Sequence, residues 1–258
     1  MSYLSRLLLN DKVALVTGGA RGIGGATCDA LAEAGAHVIV ADLRAEAAEA
    51  KAAVLRAAGR SAEGMALDVT SVASVTAAHA AVMARHGRLD VLVNNAGISR
   101  SFIKAEDLSD EDWLAVLDVN LNGLFWCCRA FGRSMIAAKS GVIVNIGSMS
   151  ADIVNRPQEQ AQYNASKAAV HHLTRSLAAE WAQHGIRVNA VAPTYIATEM
   201  TAGAAIDAEV HRIWLENTPM GRMGRPDEIA SVVLFLASPA SSLMTGSIVT
   251  ADAGYTVW

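Results

Sequence analysis

The stretch KVALVTGGARGIGGATCDALAEAGAHVIVADL, residues 12–43, determines the fold class of this chain. Its first six residues form a short aliphatic run, as a strand buried in a parallel sheet requires. A glycine-rich turn follows, and apolar residues at helical spacing then lead to Gly35, a suitable helix stop. A second aliphatic run ends at Asp42. This order predicts the first unit of a sheet that binds a nucleotide at the carboxyl ends of its strands.

The glycines of the turn would let a phosphate group come close to the backbone. Gly18, Gly22 and Gly24 give the spacing G-x3-G-x-G, which differs from the G-x-G-x-x-G pattern typical of dinucleotide-binding folds. A helix that begins within such a turn also offers free N–H groups and a favourable dipole to an anion. Because the turn lies between a strand and a helix, we predict that it binds a pyrophosphate.

Two side chains near the turn give opposite indications about the cofactor. Asp42 lies eighteen residues after Gly24, where a carboxylate can bind both hydroxyls of an adenosine ribose and repel a 2′-phosphate. Arg21 lies in the turn itself and could pair with a 2′-phosphate. Because the carboxylate would face the 2′ position directly, we give Asp42 more weight and predict NAD as the cofactor.

A tyrosine and a lysine predict acid–base chemistry in the second half of the chain. Tyr163 and Lys167 lie four residues apart in QYNASKAAVHHLTRSLAAEW, whose apolar spacing predicts a helix with both side chains on one face. An ammonium group stabilises a neighbouring phenolate, so the pKa of Tyr163 is expected to fall from about 10 toward neutrality. Such a phenol can act as a general acid or base. Ser148 follows a strand-like run, and its hydroxyl could hold a substrate oxygen in front of Tyr163.

These features belong to a longer ordered series. In sequence order the chain carries TGGARGIG at 17–24, Asp42, LDV at 67–69, NNAG at 94–97, Asn120, Ser148, Tyr163 and Lys167. The series covers essentially the whole chain and resembles the short-chain dehydrogenase/reductase family. The resemblance implies a single-domain α/β fold over residues 1–258, a Rossmann-type doubly wound parallel sheet with helices on both faces, and a nicotinamide cofactor.

The resemblance assigns the cofactor contacts to the carboxyl ends of the strands. Asp68 would meet the adenine amino group, and Val69 would flank the adenine ring. Lys167 would bind the nicotinamide ribose, and Thr198 would meet the nicotinamide carboxamide. The full set that the resemblance implies is Gly18, Arg21, Gly22, Ile23, Gly24, Asp42, Leu43, Asp68, Val69, Asn94, Ala96, Gly97, Tyr163, Lys167, Pro193, Ile196 and Thr198.

The resemblance also implies a catalytic set of four residues. Ser148 would orient the substrate, and Tyr163 would be the acid or base. Asn120 would hold a water molecule in a proton relay with Lys167.

Two positions depart from the usual sequence of the family. Thr194 replaces the glycine that commonly follows the proline of the sixth strand, and its side chain is expected to shift the nicotinamide contact or to narrow the pocket. Ala253 replaces the first glycine of a C-terminal Asp-Gly-Gly, which is expected to affect only a turn.

A narrower resemblance concerns the substrate. SMSADIVNRPQ at 148–158, TPMGRMGRPDEIA at 218–230 and the ending GYTVW are similar to the polyol dehydrogenases of this family, the galactitol dehydrogenases in particular. Ser150 and Asn155 offer neutral hydrogen-bonding groups that suit a polyhydroxylated substrate, and loop capping is the alternative role. The predicted reaction is the reversible oxidation of a secondary alcohol to a ketone by NAD+. The predicted substrate contacts are Ser148, Ser150, Asn155 and Tyr163.

Two other functions remain open from the sequence. A 3-oxoacyl-carrier-protein reductase has all the same catalytic residues, but such enzymes usually use NADPH, which Asp42 disfavours. A catalytically silent dinucleotide-binding regulator is the alternative from another class. It would have no need of a tuned tyrosine.

Composition bounds the class of protein. Of 258 residues, 52% are hydrophobic and 18% are charged, which fits a sheet covered by helices on both faces. The net charge of −4 does not support nucleic-acid binding. No apolar run approaches the roughly 20 residues of a membrane span. The three cysteines lack the spacing of a zinc site, and a reducing cytoplasm is the expected compartment.

Residues 198–217 interrupt the alternation of strands and helices. Apolar residues such as Met200, Ile206 and Trp214 predict a helical segment beside the nicotinamide end of the site. Such a segment could act as a movable substrate lid, and a fixed surface helix is the alternative.

The last predictions concern assembly and metal binding. The resemblance implies a homotetramer with 222 symmetry, and the apolar composition permits it. We expect Tyr255, Val257 and Trp258 to pack at a subunit contact, because leaving them exposed together would be costly. Some relatives bind Mg²⁺ near their C-termini, so the carboxylate of Trp258 is a candidate ligand for a structural Mg²⁺ ion. His171 and its neighbour His172 are expected at the surface or at an interface.

Overall fold

Seven strands form one parallel sheet in the described part of the chain. The structure is a computed structural model that describes residues 2–202 and 207–258. The strands are β1 (Val13–Thr17), β2 (His37–Asp42), β3 (Ala62–Ala66), β4 (Val91–Asn94), β5 (Gly141–Ile146), β6 (Ile186–Pro193) and β7 (Ile248–Ala251). Their order is β3-β2-β1-β4-β5-β6-β7, so the order of the strands reverses between β1 and β4. Ligands bind at the carboxyl ends of the strands beside such a switch point.

Eight α-helices accompany these strands in the described ranges. They are α1 (Gly22–Glu33), α2 (Ala45–Ala57), α3 (Val72–His86), α4 (Asp110–Leu117), α5 (Leu124–Ala138), α6 (Ala161–Trp181), α7 (Ala208–Glu216) and α8 (Pro226–Ala237). A turn of π-helix, Asp118–Gly123, joins α4 to α5. This architecture confirms the predicted doubly wound parallel sheet with helices on both faces.

Alternate residues of the strands supply two separate hydrophobic cores. Helices α1, α2 and α8 cover one face of the sheet, and Ala14, Val16 and Cys28 lie in that core. Helices α3, α5 and α6 cover the other face, where Leu15, Cys127 and Cys128 are buried. The three thiols are free, and burial raises the pKa of Cys127 to about 12. Burial also raises the pKa of the other two thiols above the usual range.

The structure bears on two expectations about the second half of the chain. Tyr255 is buried within its own chain, where its ring packs edge-on against Tyr195 with centroids 5.6 Å apart. It is therefore not available for the subunit contact that we predicted, although Val257 and Trp258 are exposed. The interrupting segment contains α7 as predicted, but Ile206 lies outside the described residues.

The described helices include none that is both long enough and apolar enough to cross a membrane.

Candidate active site

The carboxyl ends of five strands bring the predicted site residues to one edge of the sheet. Gly18 follows β1, Asp42 ends β2, Asn94 ends β4, Ser148 follows β5 by two residues, and Pro193 ends β6. These residues lie together because the strands pair in parallel, so all their carboxyl ends lie on the same side of the sheet.

The glycine turn has the geometry of a phosphate cradle. Gly18 and Gly22 have φ of +60° and +54°, a region that favours glycine. A Cβ at Gly24 would collide with the carbonyl oxygen of Gly18, so a side chain there would disrupt the turn. Helix α1 begins at Gly22 with no side-chain cap, which leaves its first N–H groups free. These features fit the pyrophosphate of a dinucleotide.

Asp42 ends β2 and contacts this turn. Its Oδ2 accepts a hydrogen bond from the Ala20 N–H at 3.4 Å, so the carboxylate is tied to the glycine turn. Its Oδ1 accepts one from the Arg44 N–H at 3.3 Å. Arg21 is exposed at the start of α1, and Leu43 is 69% exposed at the end of β2.

The two residues predicted to meet the adenine differ in exposure. Asp68 is half-buried, and its Oδ1 accepts a hydrogen bond from the Thr70 N–H at 2.9 Å. Val69 is buried and packs against Gly123, where a Cβ would lie 2.8 Å from its Cγ2. Most of the Val69 side chain packs in the core, and its contact with the adenine ring stays a prediction.

A network of buried polar groups supports the middle of the sheet. Asn94 Nδ2 donates to Asn145 Oδ1 at 2.9 Å, and Asn145 Nδ2 donates to Thr174 Oγ1 at 2.9 Å. The backbone N–H of Ala96 donates to Thr17 Oγ1 at 3.0 Å. These bonds hold β4, β5 and α6 together directly behind the predicted nicotinamide end.

Two of the four predicted catalytic residues, Asn120 and Lys167, border Gly97. A Cβ at Gly97 would lie 3.4 Å from Asn120 Oδ1 and 3.8 Å from Lys167 Nζ, so both polar groups border this position. Asn120 lies in the π-helical turn, and its amide accepts from the Ile98 N–H at 2.9 Å. Lys167 Nζ donates to the Ile146 carbonyl at 2.8 Å and lies 5.5 Å from the ring centroid of Tyr163.

The predicted fall in the pKa of Tyr163 is not what the structure gives. Burial raises the pKa of this phenol, and the hydrogen bond with the Ser148 side chain only opposes that rise. Burial also lowers the pKa of Lys167 to about 8. The ammonium is directed at a backbone carbonyl rather than at the phenol oxygen, so desolvation dominates for both groups.

His171 is a residue of the site that the sequence analysis misplaced. It is buried rather than exposed, and its Nε2 accepts a hydrogen bond from the Ser148 N–H at 3.5 Å. Its Nδ1 lies 3.5 Å from Asp152 Oδ2. Burial lowers the pKa of His171 more than Asp152 raises it, which favours the neutral ring that can accept this bond. A neighbouring histidine pair in a helix gives no sequence signal for such a position.

A cavity of about 250 Å³ opens in front of Ser148 and Tyr163. Within the described ranges, its lining contains no charged side chain. The polar side chains that line it are Ser99, Ser101, Ser148, Ser150, Asn155, Gln158, Gln160, Tyr163, Thr194, Thr198 and Thr201. Predicted cofactor residues Ile23, Pro193 and Ile196 also reach it.

A polar and aromatic wall on one side of the cavity was not predicted. Tyr195 stacks on Trp214 of α7, with centroids 3.9 Å apart and planes inclined by 7°. The hydroxyl of Tyr195 accepts hydrogen bonds from Asn155 Nδ2 and Gln158 Nε2, both at 3.0 Å. Trp214 Nε1 donates to Gln158 Oε1 at 3.1 Å. The wall joins the end of β6, the loop after β5 and α7.

Asn155 and Ser150 lie at the cavity, but both already have partners in the protein. Asn155 Oδ1 accepts from Gln160 Nε2 at 2.9 Å, in addition to the bond from Asn155 to Tyr195. Ser150 Oγ accepts from Gln160 Nε2 at 3.4 Å. Direct contact with substrate therefore stays a prediction for both side chains.

The two departures from the usual family sequence have distinct surroundings. Thr194 lines the cavity, and its Oγ1 is buried without a hydrogen-bond partner in the protein. Ala253 has φ of +55°, in the left-handed region, which explains why glycine is common at this position.

Comparison with known proteins places the chain among dehydrogenases. A family profile described as enoyl-(acyl carrier protein) reductase matches residues 18–256. The chain is 59% identical over 259 residues to galactitol 2-dehydrogenase from Rhizobium johnstonii, with 100% of both chains covered. It is 50% identical over 258 residues to galactitol 2-dehydrogenase (L-tagatose-forming) from Cereibacter sphaeroides, again with 100% of both chains covered. The chain belongs to the short-chain dehydrogenase/reductase family.

A solved structure supports the same assignment. A gluconate 5-dehydrogenase from Burkholderia cenocepacia J2315, in complex with NADP and tartrate, superposes with a TM-score of 0.95 at 39% identity, and 100% of both chains is covered. As a short-chain dehydrogenase/reductase, the chain is an oxidoreductase with a fold that binds a nicotinamide dinucleotide. The glycine turn and the groups around Gly97 fit that cofactor.

Proposed function

We propose that this enzyme oxidises a secondary hydroxyl of a neutral polyol to a ketone, reversibly and with NAD+. The observation that carries the proposal is the cavity in front of Tyr163, which is rich in hydroxyl and amide groups and, among the described residues, free of charged side chains. Such groups both donate and accept hydrogen bonds, as a chain of substrate hydroxyls requires.

The uncharged lining favours a neutral polyol over a sugar acid, the class of substrate named for some related proteins. A sugar acid would bring a carboxylate into the cavity, and a buried anion is costly unless a cation or several donors compensate it. Two relatives are named galactitol 2-dehydrogenase, and galactitol is a neutral hexitol. We therefore take galactitol, oxidised at C2, as the first substrate to test.

The chain's own residues supply orientation and proton transfer. Ser148 would hold the carbinol oxygen, and the phenolate of Tyr163 would remove its proton. Lys167 would stabilise that phenolate and bind the nicotinamide ribose, while Asn120 would hold water in the relay to Lys167. The nicotinamide, when bound, supplies the hydride acceptor. Tyr163 is half-buried and lines the cavity, so its phenol is within reach of a substrate bound there.

NAD rather than NADP is the cofactor that we propose. The Asp42 carboxylate is tied to the glycine turn through Ala20, so it stands where it would face the 2′ position of the adenosine ribose. Arg21 is exposed at the same turn and would favour a 2′-phosphate. The related gluconate 5-dehydrogenase structure contains NADP, so the choice must be tested directly.

The test is a panel of substrates in which the absorbance of the reduced nicotinamide reports the rate. Galactitol, other hexitols, gluconate and a simple secondary alcohol are each assayed with NAD+ and with NADP+. We expect the highest kcat/KM for a hexitol with NAD+ and little activity on gluconate. Faster turnover of gluconate would overturn the neutral-substrate proposal. Rapid reduction of acetoacetyl-CoA with NADPH would instead support the 3-oxoacyl reductase alternative.

Asn155 gives a sharper test of polyol recognition. Asn155→Ala should reduce kcat/KM for galactitol far more than for a simple secondary alcohol, because the simple alcohol lacks a second hydroxyl to bind. The loss of one neutral hydrogen bond costs about 0.5–1.5 kcal/mol. Tyr195→Phe is the matched control, since it removes the hydroxyl that Asn155 holds and keeps the amide. An equal loss in both variants would mean that Asn155 only supports the wall.

Assembly and location complete the proposal. The homotetramer, the cytoplasmic location and a structural Mg²⁺ at the Trp258 carboxylate are proposed from the family resemblance. Trp258 is 78% exposed, which leaves its side chain free to meet another subunit.

The segment 198–217 is proposed as a substrate lid, with α7 as its helix.

A further inference from the structure

Three side chains suited to a transition metal converge at the amino end of the sheet. His37 is the first residue of β2, Glu63 lies on β3, and His86 is the last residue of α3. One ligand atom from each lies within 4.8 Å of the other two, and residues 2–202 and 207–258 contain no other such group. The candidate active site is at the carboxyl ends of the strands, so the proposed reaction uses none of these residues.

His37 has the arrangement of a metal-binding histidine. Its Nδ1 lies 2.7 Å from Ser61 Oγ, and its Nε2 is buried without a hydrogen-bond partner. Donation from Nδ1–H to Ser61 would leave the lone pair on Nε2. Metal-bound histidines commonly fix their ring in this way, with the second nitrogen donating to a neighbouring oxygen.

Glu63 and His86 provide the second and third ligands. Glu63 Oε1 lies 2.9 Å from His86 Nε2, and the imidazole rings of His86 and His37 have centroids 4.7 Å apart. Glu63 Oε2 pairs with Arg85, which holds the carboxylate in place. Zinc bonds of about 2.0–2.2 Å place tetrahedral ligand atoms about 3.4 Å apart. Glu63 Oε1 and His86 Nε2 would therefore have to move slightly apart from their 2.9 Å distance to admit the ion.

We infer that His37, Glu63 and His86 form a Zn²⁺ site, with two imidazole nitrogens, one carboxylate oxygen and water completing the coordination. Imidazole ligands favour zinc over magnesium or calcium, which prefer oxygen. All three side chains are half-buried, so water can reach the remaining positions.

Zinc at this site would tie three elements together. β3 is an edge strand of the sheet, paired only with β2. A metal bond from His86 would anchor the end of α3 to both strands. Because an ion that binds only the folded state stabilises it, saturating Zn²⁺ should raise Tm by about 5–10 °C.

The test is calorimetric titration of tag-free, chelator-treated protein with ZnCl₂. We expect one Zn²⁺ per chain and no comparable binding of Mg²⁺. His37→Gln and His86→Gln should each weaken Zn²⁺ binding at least about tenfold, since loss of even a supporting group costs that much. His172→Gln, at an exposed histidine outside the group, is the matched control and should bind as the wild type does.

Two further measurements keep the inference testable if a variant folds poorly. Wild-type crystals grown with Zn²⁺ should show an anomalous peak bonded to His37, Glu63 and His86, and Tm should rise with Zn²⁺. Absence of Zn²⁺ binding by the wild-type protein, a peak elsewhere, or unchanged binding in both histidine variants would overturn the site.

Discussion

The proposed chemistry depends on two titratable side chains whose charged forms are disfavoured by the packing around them. Tyr163 and Lys167 were predictable from their types and their spacing of one helical turn. Their protonation was not, because desolvation depends on everything packed around them. Burial disfavours the charged form of each group. It therefore raises the pKa of Tyr163, which favours the protonated phenol, and lowers the pKa of Lys167, which favours the neutral amine.

The pH dependence of the two reaction directions should therefore be opposite. Alcohol oxidation needs the Tyr163 phenolate, whose pKa is raised, so kcat/KM for oxidation should rise as pH rises above neutrality. The rise should level off as Lys167, with a pKa of about 8, loses its charge. Ketone reduction needs the phenol, which stays protonated below its raised pKa, so its rate should be constant at low pH and fall only as Lys167 loses its charge. Steady-state rates from pH 6 to about pH 10 measure both curves.

Tyr163→Phe is the control for this pH profile. The ring still packs but carries no proton, so turnover should be lost in both directions while NADH still binds, as fluorescence titration would show. Residual turnover with the same pH profile would remove Tyr163 from the mechanism.

We propose that a single residue, Asp42, sets the choice between NAD and NADP. Asp42→Ala, with Arg21 unchanged, should narrow the ratio of kcat/KM for NAD+ over NADP+ by at least about tenfold, which corresponds to about 1.4 kcal/mol of repulsion. The ratio is measured on the same substrate at low ionic strength, where charge effects are largest. A wild-type preference for NADP+ would show that Arg21 outweighs the carboxylate.

Some residues of the site had no readable signal in the sequence. Ser148 follows a strand, so its place at the carboxyl edge could be predicted. His171 could not, because only the packing of α6 against Gly147 turns that ring toward Ser148. Gln158 and Tyr195 come from separate loops, whose approach depends on the path of the chain between elements.

At the scale of elements, the alternation of strands and helices was predictable and the attachment of α7 was not. Short continuous aliphatic runs predict the central strands of a parallel sheet, because both faces of these strands are buried. Helix α7 is attached through its Trp214, which is 2% exposed and joins Tyr195 and Gln158. The wall of the cavity therefore moves with α7 if that helix moves.

Trp214→Phe should loosen this attachment without removing the aromatic stack. The substitution deletes the N–H that Gln158 accepts, a loss of about 0.5–1.5 kcal/mol. If α7 acts as a lid, KM for the polyol should rise several-fold while KM for NAD+ stays near the wild-type value. Unchanged kinetics, with only a lower Tm, would identify α7 as a fixed surface helix.

At the scale of the molecule, the sheet has one open edge with apolar character. β7 pairs only with β6, and its residues Ile248 and Val249 are half-buried. Val257 and Trp258 are 72% and 78% exposed nearby in sequence. Such exposed apolar residues suit a contact between copies of the chain. Because Tyr255 is buried within its own chain, only Val257 and Trp258 of the three predicted side chains are exposed for that contact.

Light scattering tests the assembly directly. We expect the mass of a tetramer at micromolar concentration, because a family-type contact would cover the exposed edge. Trp258→Ser should shift the mass toward smaller species. A monomer mass for the wild-type chain would defeat the tetramer proposal.

The buried cysteines make unfolding of the two layers separately observable. Cys28 reports on the helices that cover one face of the sheet, and Cys127 with Cys128 reports on the other. A thiol reagent can reach these groups only when the surrounding layer opens, so the labelling rate measures the free energy of that opening. Mass spectrometry of the labelled peptides would show which face of the enzyme opens first, without an introduced probe.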